Sequence, residues 1–214
     1  MSRPGESSPH RLLAEGTDDQ FSVIHLMEKY GMNWNQATAR LPFVHDCKGI
    51  DNLLEQVPVA LKSFETLGIV LDANASLTPR WNRLKKMLAT AGMPLPNAPV
   101  TGGFVGAGTK SPTAKVGIWF MPDNAAAGTL EDFLLTLVPA DDVCFALAQN
   151  VTGEAQKLGA PFKAIHRSKA ELHTWLSWQD SPGSTFGLSI KTGVLKSNSA
   201  VAEQFAVWFK KLFS

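Results

Sequence analysis

Cysteine, net charge and long apolar runs are all scarce in this chain of 214 residues. Its two cysteines, Cys47 and Cys144, are too few and too far apart for a disulfide framework or a zinc cluster. The formal net charge of +1 excludes a strongly basic nucleic-acid binder, so any phosphate contacts must come from a local patch. No apolar run approaches the roughly 20 residues that a membrane span needs. Reduced thiols and the lack of such a run predict a cytoplasmic protein that does not enter a membrane.

The composition is otherwise that of a folded domain. Hydrophobic residues make up 44% of the chain, which is enough for a substantial core. Residues 1–10 are polar and contain no apolar stretch of the kind found in a signal peptide, so we expect a disordered tail there.

Strand-like and helix-like patterns alternate along the first two thirds of the chain. Apolar runs predict three strands, at 12–14, 41–45 and 66–74, with amphipathic helices between them. Two further strands, about 102–108 and 115–121, are joined by a polar turn and suit a β-hairpin at a sheet edge.

This alternation predicts an α/β fold with a mainly parallel sheet flanked by helices. We expect the α/β core to span residues 11–138. Residues 139–214 are expected to form a mainly helical part packed on that core, interrupted by one short strand at 185–190.

Acidic residues follow three of the predicted strands. Glu15 comes after the first strand, Asp72 ends the third, and Asp123 follows the apolar segment 117–120. Ligands of open parallel sheets bind at the carboxyl ends of the strands, and Glu15 and Asp72 converge there if their strands are neighbours. A divalent cation relieves the repulsion between such carboxylates, and Mg²⁺ or Mn²⁺ held in this way suits phosphoryl transfer.

Two short motifs resemble the Toprim pattern of topoisomerases, DnaG-type primases and OLD-family nucleases. They are Glu15-Gly16 after the first strand and Leu71-Asp72-Ala73-Asn74 after the third. Three longer segments resemble the DUF3226 family of uncharacterised Toprim-like proteins, and with them the resemblance extends over nearly the whole chain. They are VGIWFMPDNAAAGTLEDF (116–133), LHTWLSWQDSPGSTFGLSI (172–190) and FAVWFKKLF (205–213).

The Toprim resemblance implies roles for individual residues. Glu15 would act in acid/base chemistry or metal binding, and Asp72 would be the main ligand of Mg²⁺ or Mn²⁺. The second acid of the Toprim D-x-D pair is replaced here by Asn74, which offers a carbonyl oxygen but no charge. Asp123 or Asp19 would have to supply the missing charge, so a one-metal site, a weakened site and an inactive site all stay open.

All of these acids except Asp72 also have a purely structural explanation, whereas an acid at the end of a buried strand needs a partner. Glu15 suits a turn before a helix N-terminus, and Asp19 suits the first turn of that helix, where Thr17 or Asp18 is the expected cap. An ordinary Asx turn accounts for Asp123 as well as a metal site does. A capping box formed by Thr129 and Asp132 explains the acids that follow.

Basic residues offer weaker candidates for phosphate contacts. Arg80 lies soon after the Asp72 strand, whereas Lys163 and Arg167 belong to the helical part. All three equally suit solvated helix faces.

Two functions are compatible with these observations. The first is metal-dependent hydrolysis of phosphodiesters in DNA or RNA, or a related phosphoryl transfer. The second is a non-catalytic, Toprim-derived module that binds a protein partner or a nucleic acid. A dinucleotide-binding enzyme is disfavoured, because the first strand is followed by acids instead of a glycine fingerprint.

Overall fold

The computed structural model describes residues 6–34, 41–108 and 115–214, which form a five-stranded sheet flanked by helices. The strand order is β2-β1-β3-β5-β4, and only β4 runs antiparallel to its neighbour. The strands are β1 His10–Ala14, β2 Phe43–Asp46, β3 Thr66–Asp72, β4 Phe104–Ala107 and β5 Lys115–Met121. The predicted mainly parallel sheet and the hairpin at its edge are therefore confirmed; part of the hairpin turn, residues 109–114, lies outside the described residues. The first and third strands are neighbours, which is the condition for Glu15 and Asp72 to converge.

Eight α-helices surround the sheet in the described part of the chain. Four follow strands of the core, and four build the C-terminal part, which is helix-rich as expected. They are α1 Thr17–Lys29, α2 Ile50–Ser63, α3 Leu77–Thr90, α4 Leu130–Leu135, α5 Val143–Lys157, α6 Arg167–Leu176, α7 Phe186–Thr192 and α8 Ala200–Phe213.

The sheet separates two hydrophobic cores because neighbouring strand residues point to opposite faces. On β3, Leu67, Ile69 and Leu71 pack with α2 and α3, whereas Val70 packs on the other face. That second face carries α1 and the C-terminal helices. Both faces are covered, which explains the nearly continuous apolar sequence of the central strand.

Helix α8 approaches the sheet very closely at two glycines. Gly68 of β3 and Gly117 of β5 are register partners, so together they form a flat patch. A Cβ atom on Gly117 would lie 2.4 Å from Cδ2 of Leu212, whose side chain is fully buried. The glycines therefore determine how near α8 can come to the central strands.

Two predictions about local structure are wrong. Residues 185–190 form the start of α7, not a strand, because Thr185 caps a helix by accepting from the backbone N–H of Leu188 at 3.3 Å. The cap of α1 is Gly16, not Thr17 or Asp18; the Asp19 carboxylate accepts from the Gly16 N–H at 3.1 Å. The predicted capping box of Thr129 and Asp132 is confirmed.

The predicted N-terminal tail, residues 1–10, is only partly described by the structure. Residues 1–5 of the expected tail lie outside the described residues, while Ser8 is buried and His10 pairs with Thr66 in the sheet.

Among the helices that the structure describes, none has the length and apolar character needed to cross a membrane.

Candidate functional site

An acidic cleft of about 440 Å³ opens at the carboxyl ends of β1, β2 and β3. Parallel pairing brings these strand ends to one edge of the sheet, where α1, α4 and α6 add further side chains. Glu15, Asp18, Asp19, Asp46, Asp72, Glu131, Lys48 and Lys169 supply the charges of its lining. We call this region the acidic cleft.

Glu15 is held by an ion pair at the floor of the acidic cleft. Its Oε1 accepts from the Asp72 backbone N–H and from Nη1 of Arg80, both at 2.9 Å. The carboxylate and the guanidinium are 16% and 18% exposed. Burial raises the pKa of Glu15 above its ordinary value, although the charge of Arg80 opposes that effect.

Asp72 lies at the end of β3, partly buried beside other acids of the cleft. Its Oδ1 accepts from the Leu130 N–H at 2.8 Å, which ties the end of β3 to the start of α4. Burial, followed by the negative charges of Glu15 and Glu131, raises the pKa of Asp72 to about 7. Near neutral pH this side chain therefore exchanges its proton readily.

Asp19 is buried beside these acids, with only 8% of the residue exposed. Its Oδ2 accepts from Gly16, but its buried Oδ1 has no hydrogen-bond partner among the described residues. Burial, and then the charges of Asp72 and Glu15, raise its pKa well above the ordinary value. An unpartnered carboxylate oxygen in a cluster of acids is the position where a proton or a cation is most stabilising.

Glu131 and Lys169 close the opposite side of the acidic cleft. Lys169 Nζ lies 2.9 Å from Glu131 Oε1, and the Thr129 hydroxyl donates to Oε2 at 2.7 Å. Although burial by itself raises the pKa of Glu131, these two hydrogen bonds lower it overall. Hydrogen bonding therefore favours the ionised form of Glu131, in contrast to Asp19 and Asp72.

Asn74 does not line the acidic cleft. Its backbone has φ of 52° and pairs with Gly128, and in the amide orientation that satisfies both groups its oxygen accepts from Arg80 Nη2 at 2.6 Å. Arg80 also donates to the Asp72 carbonyl. The position of the second acid in the Toprim pattern thus belongs to the arginine network, which leaves Arg80 engaged on three sides.

The other predicted site residues lie elsewhere. Asp123 forms the expected Asx turn, in which its Oδ1 accepts from Ala125 and Ala126 at 2.9 and 2.8 Å. Lys163 is exposed before α6, and Arg167 donates to Glu171 at 2.6 Å and lines a groove between α5 and α6. None of these three is among the cleft-lining residues of the described chain.

Lys48 and Asp46 were missed by the sequence reasoning. The Lys48 ammonium lies 2.6 Å from Asp46, whose carboxylate also accepts from the Thr17 hydroxyl at 2.6 Å. Lys48 has φ of 62° and precedes the N-cap Gly49, so a tight turn after β2 brings it to the cleft. The Asp-Cys-Lys-Gly segment after a strand was the signal available in the sequence.

Within the described residues, no group of three or more His, Cys, Asp or Glu side chains is arranged so that it could hold a metal ion as it stands. The acids of the cleft are instead held apart by hydrogen bonds to Arg80, Lys169 and backbone N–H groups. A bound cation would therefore rely on few protein ligands.

Replacing Arg80 with Met tests the ion pair at the floor of the cleft. We expect the free energy of unfolding to fall by about 1–3 kcal/mol at pH 7, because Glu15 and Asn74 lose their charged donor. The loss should be smaller at pH 4, where Glu15 can bind a proton. Urea unfolding measures both values, and Arg83→Met on the same helix is the control because that side chain is 52% exposed. Equal effects of the two variants would contradict a structural role for Arg80.

The fold and the cleft together define a mixed α/β protein with an acidic cleft at the carboxyl ends of parallel strands. The model of the DUF3226 family, described as a protein of unknown function, matches residues 9–214. The chain belongs to this family. No curated protein and no solved structure matches it.

Proposed function

We propose that the acidic cleft binds Mg²⁺ or Mn²⁺ and that the protein hydrolyses nucleic-acid phosphodiesters or catalyses a related phosphoryl transfer. One observation carries this proposal: Asp19 shares one cleft with Asp72, Glu15 and Glu131, and in the described part of the chain a buried oxygen of Asp19 has no partner. The resemblance of Glu15-Gly16 and of the Asp72 segment to the Toprim pattern supports the same chemistry.

The side chains of the cleft fit a cation that keeps most of its waters. Mg²⁺ is commonly held by one or two carboxylates together with substrate phosphates, and it does not require a closed set of protein ligands. Asp72 and Asp19 are the best candidates, because burial and the negative charges of neighbouring acids raise the pKa of both. A cation would take the place of the protons that these raised pKa values favour.

The surrounding residues suggest a division of roles. Glu15 would accept the proton of the attacking water, since burial raises its pKa toward that of a useful general base. Lys48 and Lys169 stand at the rim, where an ammonium group can contact a phosphate oxygen. The cation, when bound, supplies charge stabilisation for the transferring phosphoryl group.

Calorimetric titration with Mn²⁺ tests the proposal on the full chain. We expect one binding site in the wild type, lost in Asp72→Asn and retained in the control Asp51→Asn, whose carboxylate is 83% exposed on α2. Cleavage of labelled single- and double-stranded DNA and RNA is then compared for wild type and Glu15→Gln. Mn²⁺ binding that persists in Asp72→Asn would overturn the metal assignment, and cleavage that persists in Glu15→Gln would overturn the role of Glu15.

A second candidate is a non-catalytic module that binds a protein partner or a nucleic acid. The hydrogen bonds of Arg80 favour this second candidate, because Arg80 already neutralises the charge of Glu15 and donates to the side-chain oxygen of Asn74. In that case the wild type binds no Mn²⁺ and cleaves none of the four substrates.

A further inference from the structure

A second pocket, of about 540 Å³, lies between α1 and the edge strand β2 and adjoins the acidic cleft. Thr17, Asp46 and Lys48 line both cavities, so one continuous groove leads from the clustered acids into this pocket. We call it the edge pocket. Its remaining lining is Gln20, Phe21, Ile24, His25, Glu28, Trp34, Phe43, Val44 and Lys191.

An aromatic surface made of two stacked rings forms part of the wall of the edge pocket. The rings of Phe21 and His25 lie one turn apart on α1 and are inclined by only 20°, with centroids 6.2 Å apart. Phe21 is 45% exposed although it is a large apolar side chain. Helix α7 holds it in place, because Gly187 packs so closely that a Cβ there would lie 2.7 Å from the Cβ of Phe21. The surface is therefore rigid and open to a ligand.

Polar and cationic groups surround this aromatic surface. His25 Nδ1 and Glu28 Oε2 form a hydrogen bond of 2.7 Å inside the edge pocket. Lys48, whose side chain is 74% exposed, stands where the edge pocket meets the acidic cleft, and Lys191 lies on the far side. A ligand that satisfies all three features has a flat ring, hydrogen-bonding edges and a phosphate.

We propose that the edge pocket binds the nucleobase of a nucleotide and that Lys48 contacts the phosphate of that nucleotide. The placement of this phosphate next to the acidic cleft rests on the proposed function. A base can enter such a pocket only when it is unstacked, so single-stranded nucleic acid is the expected substrate class. The aromatic surface is contributed by α1, the same helix that begins beside Glu15 and contains Asp19.

Binding of adenosine 5′-monophosphate, measured by calorimetry without metal, tests the edge pocket. We expect the nucleotide to bind more tightly than ribose 5-phosphate, because only the nucleotide has a base to stack. Phe21→Ala should weaken nucleotide binding by about tenfold or more. Trp178→Ala is the matched control, since it removes an aromatic side chain that is also 45% exposed but is not part of the pocket lining in the described chain.

Three results would overturn the proposal: no preference for the nucleotide over ribose 5-phosphate, unchanged binding by Phe21→Ala, or no preference for a single-stranded octanucleotide over a duplex of the same sequence. If Phe21→Ala does not fold, His25→Ala on the same surface replaces it in the comparison. Failure of the metal proposal is seen separately, because Asp72→Asn should lose Mn²⁺ and keep the nucleotide.

Discussion

The Asp72→Asn variant is expected to be more stable than the wild type by roughly 2–4 kcal/mol at pH 8 and nearly equal to it at pH 4. The folded protein binds a proton at Asp72 with a pKa of about 7, against an ordinary value of 3.8. Because the folded pKa is the higher one, the contribution of this group to stability is fully present below about pH 4. It is lost as pH rises to about 7 and stays lost above it.

Asparagine at position 72 removes the cost of placing a negative charge there and keeps the hydrogen bond to the Leu130 N–H. Its side-chain oxygen can still accept from the Leu130 N–H, as Asp72 Oδ1 does at 2.8 Å. Loss of the negative charge at position 72 also weakens the electrostatic repulsion on Asp19, whose pKa is raised partly by Asp72.

Urea unfolding without divalent cations at pH 4, 6 and 8 measures the predicted effect of Asp72→Asn. The control Asp51→Asn should change stability by less than about 0.5 kcal/mol throughout, because its side chain is 83% exposed. If Asp72→Asn is less stable than the wild type at pH 8, then burial and repulsion do not destabilise the Asp72 carboxylate as described above.

The second large effect is expected where α8 meets the sheet. Leu212→Ala should lower the free energy of unfolding by about 2–5 kcal/mol, because Leu212 is fully buried against the central strands. Gly117→Ala should cost about 1–3 kcal/mol, because its Cβ would lie 2.4 Å from Leu212.

Combining the two changes separates this contact from general damage to the core. In the double variant the truncated side chain leaves room for the new methyl group, so the total loss should be smaller than the sum of the single losses by about 0.5–3 kcal/mol. Leu188→Ala on α7 is the control, since Leu188 is 44% exposed. Strict additivity would mean that Gly117 and Leu212 do not constrain each other.

Much of the core could be predicted because its patterns are local. The apolar run from Leu67 to Leu71 identifies a strand buried on both faces, and the alternation of elements identifies a parallel sheet. Residues 185–190 show the limit of this reasoning. Their alternation of apolar and polar residues is typical of a strand. The hydroxyl of Thr185 instead caps a helix at this point.

The candidate site was predictable only where a residue ends a strand. Glu15 and Asp72 end or follow adjacent parallel strands, so their convergence follows from the topology. Lys48 reaches the cleft through a turn with positive φ, and Lys169 reaches it from α6 across a long sequence separation. Apart from the Asp-Cys-Lys-Gly segment at Lys48, neither approach has a local sequence signal, because both depend on how elements distant in sequence pack together.

The class of fold, the hairpin at the edge of the sheet and the positions of Glu15 and Asp72 at strand ends could be predicted from the amino-acid sequence alone. These features depend on apolar periodicity and on the order of elements along the chain, which can be recognised from short stretches of sequence. Packing in three dimensions determines the rest: Arg80 donates to Glu15 and Asn74, one buried oxygen of Asp19 has no partner among the described residues, and the edge pocket opens beside the acids. Charge pairing and burial are properties of the packed molecule, since they depend on which side chains exclude water from one another.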